Sequence, residues 1–143
     1  MTKNLLSITD LSKQEILDLI EFARNFKTDN GSFRKEELFP DKTVANIFCE
    51  PSTRTKSSFE IAAKNLGCSV IGFDIASSSI EKGESIYETV DALSLMGVDL
   101  CVLRHPESVI RDLAEYLPEM VFVNGAVSYT HLRSHETQFD RGC

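Results

Sequence analysis

The chain has 143 residues, 42% of them hydrophobic and 26% charged, with a net charge of −7 and a pI of about 4.9. That size and composition describe one domain with a single core, and the acidic balance excludes long-range attraction to nucleic acid or an anionic membrane. No apolar run approaches the roughly 20 residues of a membrane span, and the start, Met1-Thr2-Lys3-Asn4-Leu5-Leu6, lacks the apolar region of a signal peptide.

Ser12-Lys13-Gln14-Glu15 has the form of a capping box. Ile16, Leu17, Leu19, Ile20, Ala23 and Phe26 then recur on one face and predict an amphipathic helix. Residues 28–42 are polar, contain Gly31 and Pro40, and read as a loop. Beyond them apolar runs predict strands at 43–48, 69–73, 98–103 and 120–123, and helical patterns fill 53–66, 84–96 and 107–117. Gly67 and Gly97 stand where C-terminal caps belong, and Pro118 follows the last helix. The alternation predicts an α/β fold: right-handed βαβ crossovers and a parallel sheet with helices on both faces. Cys49, Cys68 and Cys101 lie in or beside these strands, form no C-x-x-C pair, and read as buried reduced thiols of a cytoplasmic protein. Cys143 is terminal and carries no information. There are no repeats or low-complexity segments.

A parallel sheet binds ligands beyond the carboxyl ends of its strands, and three polar clusters fall there. The first is Cys49-Glu50-Pro51-Ser52-Thr53-Arg54-Thr55-Lys56-Ser57-Ser58-Phe59-Glu60, which joins the first strand to the helix after it. A strand, a polar turn and a helix start present backbone N–H groups and a positive dipole end to an anion. Ser52 or Thr53 as a plain N-cap would be worth about 1 kcal/mol. Capping does not explain Arg54, a cation set against the dipole, and the cluster reads as a phosphate site. Glu50 and Glu60 either hold Arg54 or Lys56 in place or are solvated. The second cluster, the loop 74–83, carries Ser77-Ser78-Ser79-Ile80-Glu81-Lys82-Gly83. Lys82 beside Gly83 suits a loop closing over a charged ligand, and an exposed connection is the plain alternative. The third is Arg104-His105-Pro106, where Arg104 faces the site edge and His105 either bonds backbone to orient the loop or serves as ligand or base.

With Phe48, the run to Thr55, followed by Ser58-Phe59-Glu60, resembles the carbamoyl-phosphate signature of the aspartate and ornithine carbamoyltransferases. Lys82-Gly83-Glu84-Ser85 resembles that family's K-G-E-[ST] loop, and Arg104-His105-Pro106 its R-H-P strand end. Glu50-Pro51 and the His-Pro after Arg104 look like the aspartate branch. The resemblance runs from about Asn4 to Asn124 with the motifs in order. It implies transfer of a carbamoyl group from carbamoyl phosphate to L-aspartate, giving N-carbamoyl-L-aspartate and phosphate in pyrimidine synthesis, with no metal or organic cofactor. Ser52, Thr53, Arg54 and Thr55 would hold the phosphate, and Thr55 and Arg104 would polarise the carbonyl oxygen. Ser79, with Ser78 as its substitute, and Lys82 would reach into a neighbouring subunit of a homotrimer with shared active sites.

After Asn124 the resemblance stops. The family's Asn-Ala-Gly turn and His-Pro-Thr-Gln motif are replaced by Gly125-Ala126 and a tail, 127–143, that looks like translated cloning adapter. His131 and His135 in it have no helical apolar face beneath them and do not read as a metal site. The expected organisation is an incomplete carbamoyl-phosphate domain at 1–126, a non-native tail, and an absent amino-acid-binding domain, so the chain alone is expected to be inactive. An ornithine carbamoyltransferase fragment and a non-catalytic anion-binding or oligomerisation module are the competing readings. A receiver domain would need an acidic cluster after the first strand, and a P-loop nucleotidase would need G-x-x-x-x-G-K-[ST]; both are missing.

Overall fold

Five of the six residues of β1 (Thr43–Phe48) are buried, as befits an interior strand of a parallel sheet covered on both faces. The computed structural model, which describes residues 3–75 and 85–125, pairs it in parallel with β2 (Ser69–Asp74) on one side and β3 (Leu100–Arg104) on the other. β4 (Val121–Asn124) adds to β3, giving the order β2-β1-β3-β4. In this register Asn46 lies opposite Gly72 and Val102, and Phe48 opposite Asp74 and Arg104. The outer edge of β4 is closed by the N-terminal segment. Leu5 bridges Val123, Asn4 Oδ1 accepts from the Phe122 N–H at 2.8 Å, and Asn124 Nδ2 donates to the Leu6 carbonyl at 2.9 Å. An edge so paired offers no free template to another strand.

Alternation along the strands sorts two cores. Ala45, Ile47, Cys101, Leu103 and Phe122 face α3 (Ile86–Leu95) and α4 (Ile110–Tyr116), which contribute Val90, Leu93, Leu113 and Ala114. Val44, Phe48 and Val102 face α2 (Thr53–Asn65), which contributes Ala63 and Phe59. The α/β expectation therefore holds, and the strand bounds hold to within two residues. α4 starts at Ile110 rather than 107, because the Glu107 N–H goes to His105 Nδ1 at 3.0 Å and the Val109 N–H to the Glu107 carbonyl, forming a turn first.

α1 (Lys13–Arg24) opens with the expected reciprocal capping box: Ser12 Oγ accepts from the Glu15 N–H at 3.1 Å, and Glu15 Oε2 from the Ser12 N–H at 2.8 Å. Its apolar stripe finds no deep core, however. None of its residues is buried, and Leu17 and Ile20 remain about half exposed at 48% and 49%.

Both glycine caps are Schellman turns. At Gly67 (φ +89°) the Gly67 N–H bonds the Lys64 carbonyl and the Cys68 N–H that of Ala63; at Gly97 (φ +97°) the pairs are Gly97 with Ser94 and Val98 with Leu93. A Cβ at Gly67 would also stand 2.9 Å from the Glu37 Cα, whereas one at Gly97 meets nothing within 4 Å. Gly97→Ala therefore isolates the cost of positive φ, about 1 kcal/mol. We expect Gly67→Ala to lose at least about twice that in urea unfolding, because backbone cannot move aside as a side chain can; equal losses would contradict the close approach.

Candidate functional site

Leaving β1 at Phe48, the chain stays on the sheet's carboxyl edge for four residues and then starts α2. A cavity of about 820 Å³ opens there. Its walls are Phe48, Cys49, Glu50 and Pro51 from the strand end and turn, Ser52, Thr53, Lys56, Ser57 and Glu60 from α2, Ile75 beyond β2 and Pro106 beyond β3. Thus the ends of three adjacent strands meet at one hollow, as a parallel sheet dictates.

Ser52 occupies the N-cap position but makes no side-chain capping bond. Its carbonyl accepts from the Lys56 N–H at 2.9 Å, which closes the first turn. The N–H groups at a helix start have no intrahelical acceptor. An uncapped start therefore keeps donors and the positive end of the dipole available to an anion. α2 is anchored from beneath by Asn46, which is buried in β1 and whose Nδ2 donates to the Lys56 carbonyl at 2.9 Å. The sequence reading missed Asn46; its only signal was one amide within the apolar run Thr43–Phe48. It also left Lys56 as a mere neighbour, although Lys56 lines the cavity.

The expected site residues are not equivalent. Ser52 and Thr53 line the cavity, while Arg54, Thr55 and Arg104 are not among its lining residues. Arg54 is exposed and makes no ion pair among the described residues. Thr55 is half-buried, and its carbonyl accepts from Ser58 Oγ at 2.8 Å. Arg104 is 23% exposed at its side chain, with Nε 3.4 Å from Glu50 Oε2 and one terminal nitrogen 3.5 Å from the Gly125 carbonyl. Glu50 therefore holds Arg104, in place of the expected Arg54 or Lys56. The register explains it: Phe48 sits opposite Arg104, and the Cys49 N–H bonds the Arg104 carbonyl at 2.8 Å, so Glu50 emerges beside that guanidinium. At 3.4 Å and partly solvated, the pair contributes about 0–1 kcal/mol. Glu60 pairs with Lys64 at 3.3 Å. His105 takes the loop-orienting role through its bond from the Glu107 N–H. Ser78, Ser79 and Lys82 lie outside the described residues, as do His131, His135 and the tail 127–143. Among the described residues no three His, Cys, Asp or Glu side chains are grouped to hold a metal.

Cys49, Cys68 and Cys101 are free thiols, Cys49 and Cys101 buried and Cys68 partly so. Burial, and then the charge of Glu50, pushes the Cys49 thiol up to about 11. Burial, and then Cys49, pushes Cys101 up to about 12. Both are neutral at physiological pH, so Cys49 offers the cavity no thiolate.

The chain as a whole matches known proteins. The family profile "Aspartate/ornithine carbamoyltransferase, carbamoyl-P binding domain" matches residues 3–137. The aspartate carbamoyltransferase catalytic subunit of Streptococcus gordonii is 44% identical over 119 residues, 83% of this chain and 36% of that protein. Its counterpart in Staphylococcus carnosus is 47% identical over 106 residues, 74% of this chain and 34% of its own length. The chain thus spans about a third of these relatives. Among solved structures, the catalytic subunit of M. jannaschii aspartate transcarbamoylase superposes with a TM-score of 0.74 at 36% identity, covering 98% of this chain and 48% of its own. Trypanosoma cruzi aspartate transcarbamoylase in complex with carbamoyl phosphate gives 0.70 at 32% identity, covering 85% and 37%.

The raised thiol of Cys49 yields a reactivity prediction. A thiol shifted from 9.0 to about 11 has its thiolate fraction at pH 8 cut by on the order of a hundredfold. Alkylation of Cys49 by iodoacetamide, followed by peptide mass spectrometry, is expected to run at least about tenfold slower than for free cysteine at pH 8 and to accelerate as pH rises towards 11. Reaction at the free-cysteine rate at pH 8 would contradict the burial.

Proposed function

The chain belongs to the aspartate/ornithine carbamoyltransferase family, as its carbamoyl-phosphate-binding domain, and from that premise we propose that it is the carbamoyl-phosphate half of an aspartate carbamoyltransferase. The observation that carries the reading is the uncapped start of α2, opening onto a cavity at the carboxyl ends of three strands. A dianionic phosphate satisfies the helix-start N–H groups in place of the missing cap. Aspartate rather than ornithine as acceptor is supported by catalytic subunits of aspartate carbamoyltransferases at 44% and 47% identity, together with Glu50-Pro51 and His105-Pro106 at the two strand ends.

In the proposed reaction the aspartate amine attacks the carbamoyl carbon. A C–N bond forms, negative charge develops on the carbonyl oxygen, and the C–O bond to phosphate then breaks as the nitrogen gives up a proton to the departing phosphate. Phosphate is already a good leaving group, so the protein's work is placement and charge balance. Ser52, Thr53, Arg54 and Thr55 hold the phosphate, and Thr55 and Arg104 donate to the carbonyl oxygen as it becomes an oxyanion. Arg104 then exchanges its long contact with Glu50 for a shorter, charge-assisted one. Ser79 and Lys82 serve the site of a neighbouring subunit in a homotrimer. The amino-acid-binding half corresponds to the two thirds of the relatives' length that this chain does not span.

The test is carbamoyl transfer by the protein expressed from the full reading frame, with L-aspartate and L-ornithine offered separately. We expect ureido product with aspartate only, and a loss of about 10²–10³ in turnover for Arg54→Ala, the magnitude typical of a lost oxyanion donor. Preference for ornithine would move the protein to the other branch. Unchanged turnover in Arg54→Ala, or no turnover with either amine, would overturn the assignment.

A further inference from the structure

We propose that Asn46 is a positioning residue for the phosphate turn, pinning the first turn of α2 to the central strand through the Lys56 carbonyl. The inference rests on the anion-binding reading above. Asn46 is 1% exposed and is the buried polar residue among the apolar core side chains of the described residues. It lies between Val44 and Phe48 on the α2 face of β1. Its Nδ2 donates to the Lys56 carbonyl at 2.9 Å, while its Oδ1 has no partner among the described residues.

That combination is poor for stability alone. A buried acceptor left without a partner costs at least as much as a single neutral hydrogen bond returns, and an apolar side chain of similar size would avoid the cost. What the bond does return is direction. Lys56 is fixed twice, its N–H to the Ser52 carbonyl and its carbonyl to Asn46. The peptide groups between Ser52 and Lys56 are thereby held at a set height above the sheet edge. The N–H groups of Arg54 and Thr55, which Ser52 leaves uncapped, lie within that span. Without the anchor α2 remains packed through Phe59 and Ala63 further along, but its first turn is free to tilt.

Asn46→Val removes the donor and the orphaned acceptor together. On the chain as it stands, we expect the urea midpoint to be unchanged or raised, while inorganic phosphate, titrated by ³¹P NMR, binds about fivefold more weakly, the equivalent of one hydrogen bond. Asn46→Asp keeps the shape. Its carboxyl, kept protonated by burial at low pH, donates to the Lys56 carbonyl again, so its affinity deficit against the unsubstituted chain is expected to shrink from pH 8 to pH 5.5. Unchanged phosphate affinity in Asn46→Val overturns the inference. Stability and affinity falling together, or loss of the fold, makes Asn46 a structural residue and also overturns it. An unsubstituted chain that binds no phosphate overturns the proposed function and this inference with it.

Discussion

Everything at the candidate site follows from one constraint on backbone polarity. A central parallel strand buried on both faces must end at the sheet's carboxyl edge, and the helix that returns over the sheet must begin there. A helix start carries N–H groups with no partner of their own. At Ser12 the chain satisfies them with a reciprocal capping box, whereas at Ser52 it supplies no such bond. Val109, at the start of α4, likewise makes no side-chain capping bond, so what sets the start of α2 apart is the cavity beside it.

Electrostatics then act locally. The chain carries a net charge of −7, a field unfavourable to an anion, but beyond about 8–10 Å that field is largely screened at physiological salt. The charges next to the turn are of both signs: Arg54 and Lys56 in the first turn of α2, Arg104 one strand over, and the carboxylates of Glu50 and Glu60, which line the cavity. Glu50 beside Arg104 at 3.4 Å keeps that guanidinium compensated at small energetic cost. An anion held as proposed would compete for it without having to break a strong buried pair. The buried thiol of Cys49 stays protonated, so it adds neither charge nor a nucleophile.

Much of the fold was legible because its signals are local. Continuous apolar runs gave the strands, and Gly67 and Gly97 marked the helix ends because positive φ there favours glycine. The placement of the candidate turn between β1 and α2 was legible for the same reason, being contiguous in sequence. What could not be read was set by register. Glu50 and Arg104 are far apart in the chain, and only the pairing of Phe48 with Arg104 brings them together. Asn46 gave no signal beyond one amide in an apolar strand, since its bond to Lys56 depends on how α2 lies across β1. The stripe on α1 was read correctly as a period, yet period alone does not say whether a core waits beneath it, and Leu17 and Ile20 remain about half exposed.

The account stands on the turn between β1 and α2 being an anion site in this chain. The most direct measurement is a ¹H–¹⁵N spectrum of the labelled chain titrated with carbamoyl phosphate. The account predicts saturable shifts concentrated on the amides of Ser52 to Ser57, with smaller ones at Arg104 and His105. Shifts absent from that turn, or spread evenly over the surface, would contradict it.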